Sequence, residues 1–380
     1  MPPPRPQPPT GLPPGPPRPG ASLPGLTPEQ LTAFAAGRVQ FRNRETPGTG
    51  LGPIFNEASC FACHSEAGPG GAGRIQVTRF GRTVSGTFDP LTELGGSLLQ
   101  RRSIRGVVRE IVPPEANTVA QRQTTALWGM GLIEAIADQT LIDLAAQPSV
   151  DGVQGRVAMV KDLVSGEQRV GRFGWKNQHA TLLAFSADAF LNEMGITNKF
   201  FPDENAPNGK QDVLDALHLP AGVDDEADPA TGKAAMDRVT DFMRFLAPLP
   251  QTPLSATTLP GQALFKQVGC AVCHVPTLTT GTNAIAALSN KPAPLYSDLL
   301  LHDMGSLGDG IAQGAATGKE FRTAPLWGLR ASAPFLHDGR ARTVDQAIRM
   351  HEGQGATARD RYTALSDADK AQLLRFLNTL

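Results

Sequence analysis

The chain has 380 residues, a formal net charge of -1 at pH 7 and 19% charged residues. This length allows two or three domains with hydrophobic cores, and the near-neutral charge excludes a basic surface for nucleic acid and a strong attraction to an anionic membrane. No run of about 18 apolar residues could span a bilayer, and the 40 glycines and 33 prolines favour a loop-rich protein.

Residues 1–26 are mostly proline, glycine and small residues. Such a composition cannot bury a core, so it predicts a disordered tether. Thr27, Pro28 and Gln30 then have the pattern of a helix start, with Thr27 as N-cap and Gln30 closing a capping box. Ordered structure is therefore predicted to begin at residue 27.

Two motifs of the form Cys-x-x-Cys-His contain all four cysteines of the chain. They are Cys60, Cys63 and His64, and Cys270, Cys273 and His274. In each motif the two thiols have the spacing that lets them add to the vinyl groups of one porphyrin, and the following imidazole can bind the iron. The motifs predict two covalently bound haem c groups, with His64 and His274 as iron ligands.

Zinc sites and disulfide redox pairs also use the Cys-x-x-Cys spacing. Neither requires a histidine directly after the second cysteine, yet that histidine follows in both motifs. Covalent haem is therefore the preferred interpretation, with zinc and disulfides as the alternatives.

Three short similarities recur in the same order in the two halves of the chain. They are a Gly-x-x-x-Phe segment before each haem motif (Gly37 and Gly261), a Leu-Trp-Gly segment after it (Trp128 and Trp327), and a terminal Arg-Phe-Leu helix (Arg244 and Arg375). This order predicts an internal duplication. Pro248 and Pro250 break the chain between the halves. The predicted fold class is mainly α, with two cytochrome-c-like haem domains, 27–250 (with insertions) and 251–380, and long irregular loops.

Four further segments carry a specific combination of residues: Gly171 to Lys176, Met194 to Thr197, Tyr296 to Gly305 and His337 to Arg340. Together with the haem motifs they resemble the bacterial dihaem oxidoreductases that are labelled peroxidases or thiol oxidoreductases, which are distant relatives of the dihaem cytochrome c peroxidases. The resemblance covers almost everything after residue 27. It implies an oxidoreductase whose two haems have different roles.

His351 is the predicted second axial ligand of the C-terminal haem. Val344, Ala347, Ile348 and His351 fall on one face of a predicted helix that Thr343 caps, so the imidazole faces inward, where an unpaired polar group is costly. Two histidine ligands predict a six-coordinate electron-transfer haem of lower potential than a His/Met site. A core histidine bonded to a carbonyl is the alternative.

The resemblance places the distal ligand of this haem fourteen residues after the histidine of the His-Asp-Gly motif. Counting from His337 gives His351. The peroxidases have methionine there, and Met350 lies one place away from the match.

The N-terminal haem is the predicted reactive centre. The distal histidine that resting peroxidases supply has no counterpart here, because no histidine lies between His64 and His179. His179 and Met194 fall in a predicted helix over residues 177–194. They would lie about 22 Å apart along it, so at most one could bind the iron. Packing roles are the alternative for both.

Glu134 and Lys176 are the candidate catalytic residues. A haem that cleaves peroxide needs an acid–base group nearby. Glu134 follows the Leu-Trp-Gly segment among apolar residues, so it is either in the pocket or paired with an arginine such as Arg122. Lys176 lies beside Trp175 and is the second candidate.

Other residues have less specific predicted roles. The three tryptophans are core residues by expectation, although in the relatives one tryptophan assists electron transfer between the haems. Arg322, Arg340 and Arg342 are candidate partners of haem propionates. The relatives also bind Ca²⁺ between their domains. The acidic residues of 203–212 and 224–226 lack a recognisable calcium-loop spacing and are predicted to be solvated.

The predicted function is an exported dihaem oxidoreductase of the peroxidase type. Electrons from a small donor protein such as a cytochrome c would pass through the C-terminal haem to the N-terminal haem, where peroxide or another small oxidant is reduced. Haem c is attached after export, so a periplasmic or otherwise exported location is expected although this sequence has no signal peptide. The alternatives are electron transfer alone and a haem-dependent oxygenase of an organic substrate. An enzyme like the one that matures methylamine dehydrogenase is disfavoured, because its distal tyrosine is replaced here by His351.

Overall fold

The computed structural model describes residues 18–220 and 222–380. Residues 1–17 of the predicted tether therefore lie outside the described residues. The last part of the tether differs from the prediction, because Leu23 is buried in the core and its backbone N–H donates to the carbonyl of Phe245 at 2.7 Å. The apolar side chain of Leu23 explains this difference, since it can pack against the last helix of the N-terminal half.

Eleven α-helices lie in the described part of the chain. In order they are α1 Pro28–Arg42, α2 Cys60–Cys63, α3 Met130–Glu134, α4 Asp138–Ala145, α5 Leu182–Met194, α6 Gln211–Asp215, α7 Ala235–Phe245, α8 Leu259–Gln267, α9 Val344–Arg349, α10 Ala356–Ala364 and α11 Asp367–Leu377. The predicted capping box of α1 is confirmed, because Thr27 and Gln30 exchange side-chain and backbone hydrogen bonds. Within the described residues, none of the helices has both the length and the apolar character needed to cross a bilayer.

Twelve short strands accompany these helices. They are β1 Ile54–Phe55, β2 Gln76–Val84, β3 Thr87–Asp89, β4 Ser97–Leu99, β5 Arg102–Ser103, β6 Thr118–Gln123, β7 Ala158–Lys161, β8 Gln168–Gly171, β9 Leu278–Thr279, β10 Pro292–Ala293, β11 Leu301–Asp303 and β12 Glu320–Arg322. The chain is 34% helical and 16% strand, so it is mixed and the prediction of a mainly α fold is not confirmed.

The largest sheet was not predicted from the sequence. In it β2 pairs antiparallel with β6 along one edge and with β3 and β4 along the other. It forms an insertion between the first haem motif and the first Leu-Trp-Gly segment. The sheet matters for the site because the end of β6 leads directly to Thr124 and Thr125, which lie beside the first motif.

The first and last helices cross in each half, and the repeated Gly-x-x-x-Phe and Arg-Phe-Leu segments lie on these helices. A Cβ atom on Gly37 in α1 would lie 2.1 Å from the carbonyl oxygen of Arg238 in α7, and one on Gly261 in α8 would lie 2.1 Å from that of Gln372 in α11. Only glycine allows the backbones to approach this closely. Phenylalanines flank both crossings, with ring centres 4.7 Å apart for Phe41 and Phe242.

The two Leu-Trp-Gly segments contact each other reciprocally. The ring of Trp327 packs on Gly129, where a Cβ atom would lie 2.5 Å from it, and the ring of Trp128 packs on Gly328 at the same distance. Both glycines have positive φ angles, which glycine adopts without strain. The main hydrophobic cluster extends across this junction and includes both tryptophans, while a smaller cluster surrounds α8 and α11. The predicted domain boundary near residue 250 therefore falls between halves that share a core.

Candidate active site

The imidazole of His64 is fixed by the backbone that follows β6. Its Nδ1 lies 2.8 Å from the carbonyl oxygen of Thr125, so Nδ1 is the donor and Nε2 is left free. Burial lowers the pKa of His64 to about 4, which keeps the ring neutral. A neutral imidazole whose other nitrogen is held by a carbonyl is the form that binds a metal.

The four cysteines of the motifs are not paired in disulfides. Burial raises the pKa of Cys60, Cys63 and Cys270 to about 12. Thiol–disulfide exchange depends on the thiolate, which such surroundings disfavour, so the motifs do not resemble a disulfide redox pair.

The C-terminal motif opens onto the main cavity, which has a volume of about 310 Å³. His274 lines this cavity, with its Nδ1 2.9 Å from the carbonyl oxygen of Tyr296. His351 lines the same cavity, with its Nδ1 2.8 Å from the carbonyl oxygen of Ala347. Burial lowers the pKa of both histidines, to about 4 for His274. Two neutral imidazoles with free Nε2 atoms in one largely apolar cavity fit a haem with two histidine ligands.

The predicted helix before His351 is shorter than expected. α9 ends at Arg349, and His351 lies just beyond it, but Val344, Ala347 and Ile348 line the cavity as predicted. Met350 is 37% exposed, so it faces away from the cavity that His351 lines.

His179 and Met194 do not share one helix as predicted. α5 begins only at Leu182, and His179 lies in a loop where its backbone pairs with Phe173. Met194 ends α5 and is buried in the hydrophobic cluster. The loop forms because Thr181 caps the helix by accepting from the N–H of Ala184. These contacts favour packing for Met194.

Glu193 is a half-buried carboxylate that no sequence pattern singled out. It lies on α5, and its Oε2 accepts a hydrogen bond of 2.7 Å from the side-chain amide of Asn56. Burial raises the pKa of Glu193, and Arg79 partly opposes this shift. The charge of Glu193 in turn contributes to the raised pKa of Cys63, so the carboxylate lies close to the first motif. A buried carboxylate with a raised pKa is a typical acid–base group.

Further polar side chains surround Glu193. Asp188, also on α5, accepts from the amide of Asn192 at 2.9 Å and lies 3.5 Å from Nε2 of His179. Burial favours a higher pKa for Asp188, but His179 and Arg79 outweigh it and the pKa is lowered. The pKa of Asp188 is therefore lowered and that of Glu193 is raised, so the two carboxylates differ in acidity.

Glu134 lies in an ion pair. Its carboxylate accepts from Nε of Arg244 at 2.8 Å and from the N–H of Leu182, the first residue of α5, at 2.8 Å. It therefore ties α3 to α5 and α7. This contact favours the alternative of an arginine partner, although the arginine is Arg244 and not Arg122.

Lys176 is fully buried between the two halves. Its Nζ lies 3.3 Å from Asp309, 2.9 Å from the carbonyl of Thr317 and 3.9 Å from the ring centre of Phe321. Arg122 donates to the same Asp309 at 2.8 Å. Burial lowers the pKa of Lys176 to about 8. Lys176 lies behind Phe321 and does not line the cavity, so its contacts support a role in joining the halves.

One group of three ligand-type side chains occurs in the described residues: Cys273, Asp298 and His302. Although burial disfavours the charged ring, Asp298, 2.8 Å away, raises the pKa of His302 to about 11. Both ring nitrogens of His302 are already hydrogen-bonded, Nε2 with Asp298 and Nδ1 with the side-chain oxygen of Gln354 at 2.7 Å, so this group is not an open set of metal ligands. The acidic residues at 203–212 and 224–226 include one interacting pair, Glu204 and Asp224. Burial and the charge of Asp224 together raise the pKa of Glu204 to about 8.

A family described as "Di-haem oxidoreductase, putative peroxidase" matches residues 107–380, well over half of the chain. The match contains the second haem motif, while the first lies before it. No curated protein matches this chain.

Solved structures give distant matches. The diheme peroxidase BthA from Burkholderia thailandensis is 14% identical, with 92% of this chain and 86% of that chain covered and a TM-score of 0.42. Hydrazine synthase of Kuenenia stuttgartiensis is 14% identical, with both chains covered completely and a TM-score of 0.38. A MauG-like protein associated with microbial copper homeostasis is 16% identical, with 67% and 89% covered and a TM-score of 0.34.

Proposed function

Because this chain belongs to the di-haem oxidoreductase family, we propose that it is an exported dihaem c-type oxidoreductase of the peroxidase type. Electrons from a small donor protein, such as a cytochrome c, enter at a C-terminal haem held by His274 and His351. They reach a reactive N-terminal haem held by His64, where peroxide or another small oxidant is reduced.

The observation that carries this proposal is the difference between the two motifs. His274 shares its cavity with a second histidine whose Nδ1 is held by a backbone carbonyl, whereas the surroundings of Cys63 contain the half-buried carboxylate of Glu193. Two strong ligands suit an electron-transfer centre, and an acid–base group suits a reactive one. When bound, haem supplies electron transfer and the reduction of the oxidant.

The residues of the chain then have separate tasks. Thr125 and Tyr296 orient the two proximal imidazoles through Nδ1. Glu193 takes a proton from the incoming oxidant at its carboxylate and returns it to the leaving oxygen, and Asn56 holds the carboxylate in place. A pKa raised by burial brings Glu193 nearer to the working pH, which favours acid–base catalysis.

We also propose that the two halves arose by duplication and that covalent attachment uses Cys60, Cys63, Cys270 and Cys273. The matching helix crossings at Gly37 and Gly261 support duplication, as do the reciprocal tryptophan contacts. The domains would then be 27–250 and 251–380, each with its own haem motif.

Rapid mixing of the reduced protein with hydrogen peroxide tests the proposal. Peroxide should oxidise the haems, and a reduced donor should restore them. Glu193→Gln should slow the oxidation by about 10²–10⁴-fold, the usual contribution of an acid–base group. The matched control is Glu110→Gln, since the pKa of Glu110 is likewise raised by burial but its carboxylate accepts from the backbone N–H groups of Gln100 and Asn208. Inertness toward peroxide in every redox state would remove the proposal.

Electron transfer alone is a second candidate function, in which a second strong ligand would close the N-terminal iron. His179 is the candidate for that ligand, because its buried Nε2 makes only a long contact of 3.5 Å with Asp188 within the described residues. Carbon monoxide separates the two functions: the reduced protein should bind one equivalent if the N-terminal iron is open, and none if both irons have two strong ligands.

A further inference from the structure

Two buried hydrogen-bond donors in the lining of the main cavity have no partner within the described residues. They are Nε of Arg322 and Nε1 of Trp128. Buried donors are nearly always satisfied, and an unsatisfied one costs about 1–3 kcal/mol. Two such donors in one cavity therefore indicate an acceptor that the polypeptide itself does not supply.

Arg322 carries a charge that also lacks a counter-ion in the described part of the chain. Its side chain is buried at the end of β12, and Nη1 donates to the carbonyl of Arg172 at 3.0 Å. Burial lowers its pKa to about 10, and no carboxylate contributes to this shift. A buried guanidinium without a carboxylate is costly, and its planar donors suit a carboxylate.

Trp128 adds a neutral donor to the same cavity. Its ring is 1% exposed and packs on Gly328, which fixes the indole at the junction of the halves. A buried tryptophan N–H usually donates to a partner. Within the described residues, Nε1 of Trp128 has no acceptor. An arginine and an indole N–H together match an anionic oxygen ligand.

We propose that Arg322 and Trp128 bind a propionate carboxylate of the haem attached at Cys270 and Cys273. This inference rests on the proposed function, because it requires a haem at that motif. The carboxylate supplies the missing counter-ion of Arg322 and the missing acceptor of Trp128. The sequence predicted two other arginines for this role. Arg340 is exposed and paired with Asp338, and Arg342 is exposed, so neither is a buried cation without a counter-ion as Arg322 is.

The arrangement has a consequence for electron flow. A fixed positive charge near a porphyrin favours the reduced iron, since reduction removes a positive charge from the centre. Arg322 therefore holds the C-terminal haem at a higher potential than a haem with two histidine ligands would have without it. That shift makes acceptance of electrons from a donor easier.

Redox titration of the purified holoprotein, followed by visible absorption at the C-terminal haem, tests the inference. Arg322→Met should lower the ferrous-to-ferric ratio at a fixed potential about tenfold, which corresponds to 59 mV for a one-electron couple. Arg322→Lys should recover most of the shift because it keeps the charge. Trp128→Phe should cause a smaller fall in the same direction. The matched control Arg342→Met removes an exposed arginine of the same half and should leave the ratio at the wild-type value.

An unchanged ratio in Arg322→Met, or an equal shift in Arg342→Met, would overturn the inference. If Arg322→Met does not fold, Arg322→Lys and Trp128→Phe decide: wild-type ratios in both would also overturn it. A pyridine haemochrome spectrum of the wild type separates this failure from failure of the proposed function, because a protein without thioether-bound haem would reject both together.

Discussion

The helix crossings at Gly37 and Gly261 give a prediction that tests the internal repeat through stability and spectra. The perturbation is Gly37→Ala or Gly261→Ala, each of which adds a single methyl group where two helices meet. In both cases the new Cβ atom would lie 2.1 Å from a carbonyl oxygen of the opposite helix. Ordinary contact begins at about 3.4 Å, so each pair of helices must separate by about 1.3 Å.

The expected cost follows from two opposing effects. Overpacking of this kind costs about 1–3 kcal/mol, and a backbone carbonyl cannot turn aside as a flexible side chain can. Alanine recovers up to about 1 kcal/mol through its higher helix propensity. The net loss should be about 1–2 kcal/mol, which lowers Tm by roughly 2–8 °C for a unit of 150–250 residues.

Calorimetry and visible absorption measure this effect. Gly37→Ala should disturb the spectrum of the N-terminal haem, because Phe41 on the same helix lies 6.4 Å from the ring centre of His64. Gly261→Ala should disturb the C-terminal haem instead. The matched control is Gly48→Ala, where the new Cβ atom meets only Oγ1 of Thr46 at 3.7 Å. Unchanged Tm values for Gly37→Ala and Gly261→Ala would refute the close approach of the helices, and a disturbance of the same haem by both variants would refute the separate roles of the two crossings.

Glu134→Gln should destabilise the protein by about 1.5–3 kcal/mol, because it weakens the charge-assisted bond to Arg244; denaturant unfolding with a loss below about 0.5 kcal/mol would contradict the ion pair. His351→Ala should open a coordination position, so carbon monoxide binding to the reduced protein should rise by one equivalent, and an unchanged stoichiometry would exclude His351 as a ligand. Glu204→Gln tests a pH effect: burial and Asp224 raise the pKa of Glu204 to about 8 from 4.5, so stability is complete below about pH 4.5 and is lost as pH rises toward 8. The variant should therefore raise Tm more at pH 8 than at pH 5, and equal shifts at both would show that Glu204 does not titrate in this range.

Local sequence signals predicted local structure well. Thr27 caps α1 by accepting from the N–H of Gln30, as its spacing indicates. The glycines of the repeat lie at the crossings of the first and last helix of each half. These signals succeed because capping and ridge contacts depend on residues a few positions apart. The sheet built on β2 and β6 escaped notice because its pairing joins segments about forty residues apart, which no short-range pattern records.

The acid–base group of the candidate site depends on contacts between distant segments. Glu134 was selected for its apolar neighbours, and its carboxylate pairs with Arg244, 110 positions away, which is the alternative that the sequence left open. Glu193 is a second candidate, because residues near Asn56 fold against the end of α5 and cover it in part. One signal was available: Glu193 directly precedes the Met194 to Thr197 segment that carried part of the family resemblance.

The reciprocal packing of Trp128 and Trp327 explains how a repeated frame can hold two unlike centres. Each tryptophan packs on the glycine of the other half. This contact fixes the junction and does not restrict which residues surround each haem motif. The C-terminal half uses that freedom to place His351 after a short helix, and the N-terminal half uses it to place Glu193 on α5. Arg322 lies at the same junction, bonded to a carbonyl of the N-terminal half, so a change in the contact between the halves would alter the charge beside the C-terminal site. On the proposed function, a shift of one half against the other would therefore change the potential of the C-terminal haem.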